Sequence, residues 1–339
     1  MSDTIKWSFS ADRCMRRCQR QYFLQHVAAW HNARDPVRKE SFLLKQVKTL
    51  ELWTGSLVHR GIELFVVPAF QANRPAGWQQ AIGGTLAMAR RQFEFSKARR
   101  YREEKISKAK AGDDYCALLG HETDQGVSAA EFERVQGTVE KAFRNFSEMK
   151  ELLAEISGRK RYWPELEVRL AYDAARIEVR IDLLFFREYG KPTIVDWKVS
   201  ESLGASDADL QTSLYSWTLC QHKSWGVTKA EDCELLEVQL LTKTVMRHRA
   251  TQETFDRLED RIYRSVNTIK SLRGSEKYDL ADLENYDFAE NPNSCVFCSH
   301  RSLCRQLAAE EAKKTATEPA LSPDRKEKRR HVATHAQLF

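Results

Sequence analysis

Ile177-Glu-Val-Arg-Ile-Asp182-Leu-Leu-Phe-Phe186, followed by Pro192-Thr-Ile-Val-Asp196-Trp-Lys198-Val199, decides how this chain folds. Both runs are apolar, rich in β-branched residues and short, as strands are, and Glu188-Tyr-Gly-Lys191 between them reads as a hairpin turn. Just upstream, after Trp163-Pro164, Glu165 to Leu170 alternates, so three successive strands predict an antiparallel meander. Helical spacing then covers Ala205 to Cys220, Cys233 to Thr242 reads as another strand, and Thr251 to Leu272 as a long amphipathic helix. This order predicts an α/β core.

Chemistry gathers on these elements. Asp196 and Lys198 lie two apart on a strand, so their side chains leave the same face. A carboxylate there can hold a hard divalent cation, and the ammonium can orient a water or stabilise charge on a phosphate oxygen. A hairpin partner puts Asp182 across from Asp196, and two carboxylates on adjacent strands are the minimum of a Mg2+ or Mn2+ site. A cation held there lowers the pKa of water and offsets charge in phosphodiester hydrolysis. Alone, Asp-x-Lys would be a surface ion pair. The apolar Thr193-Ile-Val195 before it and the helix bearing Gln211 and Tyr215 after it favour a site instead. That amide and phenol, one turn apart, can bind a phosphate or base and orient the lysine. His59, on a helix expected to start near Thr54 to Ser56 with Glu63 one turn on, adds an imidazole as a further metal ligand. Glu165 and Glu167, one strand before Asp182, read as strand surface, yet either could reach the cation through water.

The flanks carry different signals. Residues 11 to 30 have helical spacing with Ser10 or Asp12 as cap, which would put Cys14 and Cys18 on one face. A charged helical pattern continues to about residue 157 and reads as an insertion. Within it Arg90, Arg91, Lys97, Arg99, Arg100, Arg102, Lys105, Lys108 and Lys110 face only Glu94, Glu103 and Glu104, a basic ridge suited to guiding a polyanion or, more blandly, to solvation. Cys295-Val-Phe-Cys298-Ser-His-Arg-Ser-Leu-Cys304 leaves a metal centre one thiolate short. Cys18 is the leading fourth ligand and Cys14 its rival. Zinc and an iron–sulfur cluster both accept four thiolates, so spacing alone leaves the occupant open. Cys116, Cys220 and Cys233 read as core or surface thiols.

Composition narrows the class. With 42% hydrophobic and 30% charged residues the chain is globular, and no apolar run reaches the roughly 18 residues of a membrane span. The start lacks a secretory signal, which predicts a cytoplasmic protein with reduced thiols. The net charge is +6, and Asp324-Arg-Lys-Glu-Lys-Arg-Arg330 belongs to a tail expected to be disordered. No phosphate-cradling Gly-x4-Gly-Lys loop is present, so any helicase would be a separate partner chain.

The ordered motifs resemble the PD-(D/E)XK nuclease superfamily, in its RecB-like branch with AddB-type and CRISPR-adaptation exonucleases. The likeness rests on Ser8, Ser10, Cys18 with Tyr22-Phe23, Gly55 to His59, Ile181-Asp182, Asp196 with Lys198, Gln211 with Tyr215, and Cys295, Cys298 and Cys304. It implies a restriction-endonuclease-like core with a mixed central sheet flanked by helices, a helical insertion and a C-terminal iron–sulfur segment. It also implies His59, Asp182 and Asp196 as ligands of Mg2+ or Mn2+, Lys198 in catalysis, and a 4Fe-4S cluster on Cys18, Cys295, Cys298 and Cys304, with Zn2+ as the rival occupant. Two positions depart from the family: Arg180 stands where glycine is common, and Gln19 follows the first cysteine in place of proline. The expected activity is cleavage of DNA, as an exonuclease in repair, recombination or defence. The alternatives are a restriction-type endonuclease and a non-cleaving DNA-binding scaffold. The expected partition is residues 1–30 with the cluster cysteine, 31–160 helical, 161–275 nuclease core, 276–312 cluster segment and 313–339 tail.

Overall fold

The apolar runs pair as their patterning requires. A computed structural model describes residues 4–159, 161–186, 190–200, 205–223, 225–274 and 277–317. The hairpin residues 187–189 and the basic tail from residue 318 onward lie outside the described residues. The strands are β1 (Ile5–Trp7), β2 (Tyr162–Tyr172), β3 (Ala175–Phe186), β4 (Pro192–Lys198), β5 (Glu234–Gln239) and β6 (Thr244–His248). They form one mixed sheet in the order β1-β3-β4-β5-β6, with β2 also on β3. β2, β3 and β4 make the antiparallel meander, β4 and β5 run parallel, and β5 and β6 are antiparallel.

Two strands exceed the sequence reading. β1 has only three residues and pairs in parallel with β3 at Ala175 to Ile177, and β6 follows β5 where one strand to Thr242 was expected. Because β2 occupies one edge of β3 along its length, β1 and β4 share the other edge. Their registers stop at Ile177 and Leu183, so residues 178–182 of β3 have no ladder partner on that side among the described residues. Asp182 sits in this gap.

Two compact units result, and each joins segments distant in sequence. One contains the sheet and spans Ser2–Phe9 with Lys48–Lys270. In it, helices α1 (Leu50–Gly61), α2 (Trp78–Lys97) and α3 (Ala129–Glu148) bury Trp53, Leu57, Phe143 and Phe146 with Leu183, Phe185, Val195 and Trp197 of the sheet. α1 starts earlier than its apolar pattern indicated, because Thr49 caps it by accepting the Leu52 N–H at 3.3 Å. At its end Gly61 permits the helices to meet: a Cβ there would lie 2.2 Å from Thr85 Oγ1 and 2.8 Å from Phe143 Cζ. A π-helical turn, Ile62–Val66, follows immediately, and such turns often accompany functional sites. α4 (Ala205–His222) and α5 (Gln252–Leu272) complete the unit.

The other unit combines Ser10–Val47 with the chain from Ser271 onward. The single helix expected over residues 11–30 is broken: it runs Phe9–Arg17, resumes as Gln19–Tyr22 and ends in a π-helical turn, Phe23–Ala28. Cys18 is the break. Its backbone is extended (φ −161°, ψ 110°) and its sulfur accepts the Gln21 N–H, so it acts as an N-cap and does not share a helix face with Cys14. Arg20, fully buried, reaches Glu311 Oε1 at 2.7 Å and lies over the Phe288 ring, tying the early residues to the helix Arg301–Thr317. His300, also buried, donates from Nε2 to the Ser41 carbonyl at 3.2 Å.

Candidate active site

The gap beside β3 gathers side chains from three elements. Donor atoms of His59 at the end of α1, Glu165 on β2 and Asp182 on β3 all lie within 4.8 Å of one another, the only such group of three or more His, Cys, Asp or Glu among the described residues. Asp182 takes the place of the missing ladder: its Oδ2 accepts the Trp197 N–H at 2.8 Å. Its Oδ1 lies 3.4 Å from His59 Nδ1, while His59 Nε2 donates to the Trp197 carbonyl at 2.9 Å. That bond fixes the tautomer and leaves Nδ1 facing the carboxylates.

Glu165 reaches the group by an unusual backbone. Its φ is +48°, the left-handed region that disfavours a residue with a Cβ, and such strain clusters at functional sites. Arg180, standing where the family often has glycine, supports it at 3.0 Å from Oε2 and also lies 3.5 Å from Glu167. Glu167 itself is half exposed and outside the group.

Asp196 stands beside this trio rather than in it. It is 4% exposed, its Oδ1 accepts the Tyr215 hydroxyl at 2.9 Å, and Lys198 Nζ sits 2.5 Å from Oδ2. Tyr215 in turn accepts from Gln211 Nε2 at 3.0 Å. The amide and phenol, read from the sequence as able to meet a phosphate, hold the Asp196 carboxylate here.

Electrostatics show the strain of crowded acids. Burial, then the neighbouring Asp182 charge, raises the Asp196 pKa against the opposing pull of Lys198 and Tyr215. Burial and Asp182 likewise raise Glu165. Burial would lower His59, but the charge and hydrogen bond of Asp182, with Asp196 and Glu165 behind them, lift it to about 9. A cation would relieve all of these, and an imidazole with hard carboxylates is a donor set that Mg2+ or Mn2+ accepts. These residues fit the implied metal.

The basic ridge is corrected by its partners. Arg91 meets Asp114 at 2.7 Å, Arg100 meets Glu103, Arg99 meets Asp124, and Arg102 meets Glu122. Three of these acids, Asp114, Glu122 and Asp124, fall just beyond the run, so counting charge within it overstated the free positive surface.

In the other unit Cys18, Cys295, Cys298 and Cys304 line one cavity of about 40 Å³. Cys14 is not among its lining residues and instead points its sulfur at Gln25 Oε1, 3.7 Å away. Burial pushes Cys298 up to about 12, opposed by the His300 backbone N–H, and Cys304 up to about 11, opposed by Arg20, which hydrogen-bonds its sulfur. No three of the four sulfurs lie within 4.8 Å of one another. Cys116 and Cys233 are buried thiols raised by burial to about 12 and about 11.

The parted strands of this mixed sheet set Asp182 beside Asp196-x-Lys198, and residues 6–305 match the PD-(D/E)XK nuclease superfamily. The chain belongs to that superfamily. Among solved structures, it is similar to a protein from Eubacterium rectale described as a candidate exonuclease, at 13% identity and TM-score 0.39, covering 78% of this chain and 81% of that one. It is also similar to the protein SSO0001, at 12% identity and TM-score 0.30, covering 63% of this chain and 93% of that one. No curated protein matches. No helix among the described residues is long and apolar enough to cross a membrane.

Proposed function

We propose that the sheet-bearing unit is a RecB-like deoxyribonuclease that hydrolyses phosphodiester bonds as an exonuclease, using Mg2+ or Mn2+. The convergence of His59, Glu165 and Asp182 from three elements, beside Asp196 and Lys198, carries this reading. His59 Nδ1, one oxygen each of Asp182 and Asp196, and Glu165 would hold the cation, which supplies an activated water and offsets charge on the phosphate. Lys198, released from Asp196, donates toward the phosphate oxygen where charge develops. Tyr215 keeps Asp196 oriented throughout, and Arg180 keeps Glu165 turned inward.

The four cysteines that line one cavity would hold a 4Fe-4S cluster in this reading, with Zn2+ as the rival occupant of four thiolates. Arg20 beside Cys304 and the His300 N–H beside Cys298 would offset the charge of bound thiolates.

The test is an anaerobic preparation incubated with end-labelled linear and closed circular DNA, with and without Mn2+. Mn2+-dependent shortening of linear DNA alone, abolished by Asp196→Ala, is expected. Cutting of circles would make the enzyme an endonuclease, and binding without cutting would make it a scaffold.

A further inference from the structure

A second buried carboxylate lies level with Asp196 on the neighbouring strand. In the parallel register of β4 and β5, Asp196 pairs with Glu237 and Lys198 with Gln239, so these positions share a face. Glu237 and Gln239 are 3% and 2% exposed, and the chemistry proposed above uses neither. Gln239 Nε2 donates to Glu237 Oε1 at 2.6 Å. Because an ionised carboxylate only accepts, this contact also fixes which way the amide points. The other oxygen, Glu237 Oε2, is 3.1 Å from His248 Nε2, and His248 Nδ1 is 2.7 Å from Asp209 Oδ1.

Asp209 belongs to α4, two residues before Gln211 and six before Tyr215. The helix is therefore anchored to the sheet by two polar chains. One runs Gln211, Tyr215, Asp196; the other runs Asp209, His248, Glu237, Gln239. The first touches the reacting centre and the second does not. A ring with a carboxylate at each nitrogen bridges the two elements that carry them, α4 and β5, through one side chain.

We propose that His248 is a positioning residue: by joining Asp209 of α4 to Glu237 of β5, it sets the helix whose Tyr215 hydroxyl orients Asp196. This rests on the nuclease reading. Its purpose is alignment, since a small displacement of a group holding a metal ligand costs rate out of proportion to stability.

Asp209 offers the clean test because its own side chain is 66% exposed, so truncating it leaves no buried cavity. The full-length protein and its Asp209→Ala, Asp209→Glu, Tyr215→Phe and Asp209→Ala/Tyr215→Phe variants would be compared. The measurements are kcat and KM on end-labelled single-stranded DNA with Mn2+, Mn2+ affinity by calorimetry, and melting temperature. Asp209→Ala should lower kcat about tenfold, with KM for DNA within about twofold and the melting point nearly unchanged. Mn2+ affinity should fall about threefold, and Asp209→Glu should restore most of both losses. The double variant should be no slower than Tyr215→Phe, since both changes act through the same hydroxyl. Retention of wild-type kcat and Mn2+ affinity by Asp209→Ala, or losses that simply multiply in the double variant, would overturn the proposal. If the wild-type protein binds Mn2+ but cuts nothing, the nuclease reading fails, and the clamp stands or falls on the Mn2+ affinity of Asp209→Ala.

Discussion

Replacing Tyr215 with Phe isolates a single hydroxyl. The ring is 5% exposed and keeps its volume, so the fold should survive, while the 2.9 Å bond to Asp196 Oδ1 is lost. A hydrogen bond to a charged group contributes about 1.5–3 kcal/mol, which at about 1.4 kcal/mol per decade is roughly a 10- to 150-fold loss in kcat. The loss should fall on kcat and cation affinity and spare the KM for DNA, because the hydroxyl touches a ligand carboxylate and no nucleotide. The pH profile gives an independent sign. Burial and Asp182 already raise the Asp196 pKa, and the Tyr215 bond, which favours the ionised form, opposes them. Without it the pKa rises further, so the acid limb of the kcat profile moves to higher pH. Steady-state kinetics from pH 5 to pH 9, with Mn2+ calorimetry and a melting curve, would show this. A variant with kcat within about twofold of wild type and an unmoved acid limb would refute the role assigned to Tyr215.

Further outcomes follow from the same geometry. Asp182→Asn keeps an acceptor for the Trp197 N–H and should fold but not cut, whereas Asp182→Ala orphans that amide and should also lose about 1–3 kcal/mol in urea unfolding. Gly61→Ala forces a Cβ against Thr85 and Phe143 and should destabilise the sheet-bearing unit by about 1–3 kcal/mol, read as a lower melting temperature. Burial, then Lys97 and Arg99, lowers the His121 pKa, so the folded state resists its protonation. Its contribution is therefore intact above the ordinary imidazole range near pH 6.5 and lost as pH falls below it; His121→Gln should flatten that part of the stability curve. Serine at Cys18, Cys295, Cys298 or Cys304 should abolish bound iron and sulfide in anaerobic preparations, while Cys14→Ser retains them, and iron loss from Cys14→Ser alone would reverse the ligand assignment.

The meander was legible because its strands are bounded by turn residues and built from β-branched runs, and Asp182, Asp196 and Lys198 lie on the two strands those runs predicted. The three residues of β1 carry no periodicity of their own; the open edge of β3 recruits them. β6 was hidden for a similar reason, and His248 with it, since Thr244-Val-Met-Arg-His248 has too few apolar positions to announce a strand. Glu165 was legible only as one of two candidates with Glu167, because nothing in Pro164-Glu-Leu foretells the left-handed backbone that turns it toward His59 and Asp182. Cys18 breaks its helix without any of the residues that usually cap one. The basic run misled because its acidic partners are brought back by loops, a long-range fact that no local window contains.

The tethers on the two aspartates limit what they can bind. Asp182 Oδ2 already accepts a peptide N–H and Asp196 Oδ1 a phenol, so one oxygen of each carboxylate is held in place by the protein. With one oxygen of each so tethered, the aspartates would present preset donors to a small hard cation, which would tolerate less rearrangement of its ligands than the larger and more adaptable calcium.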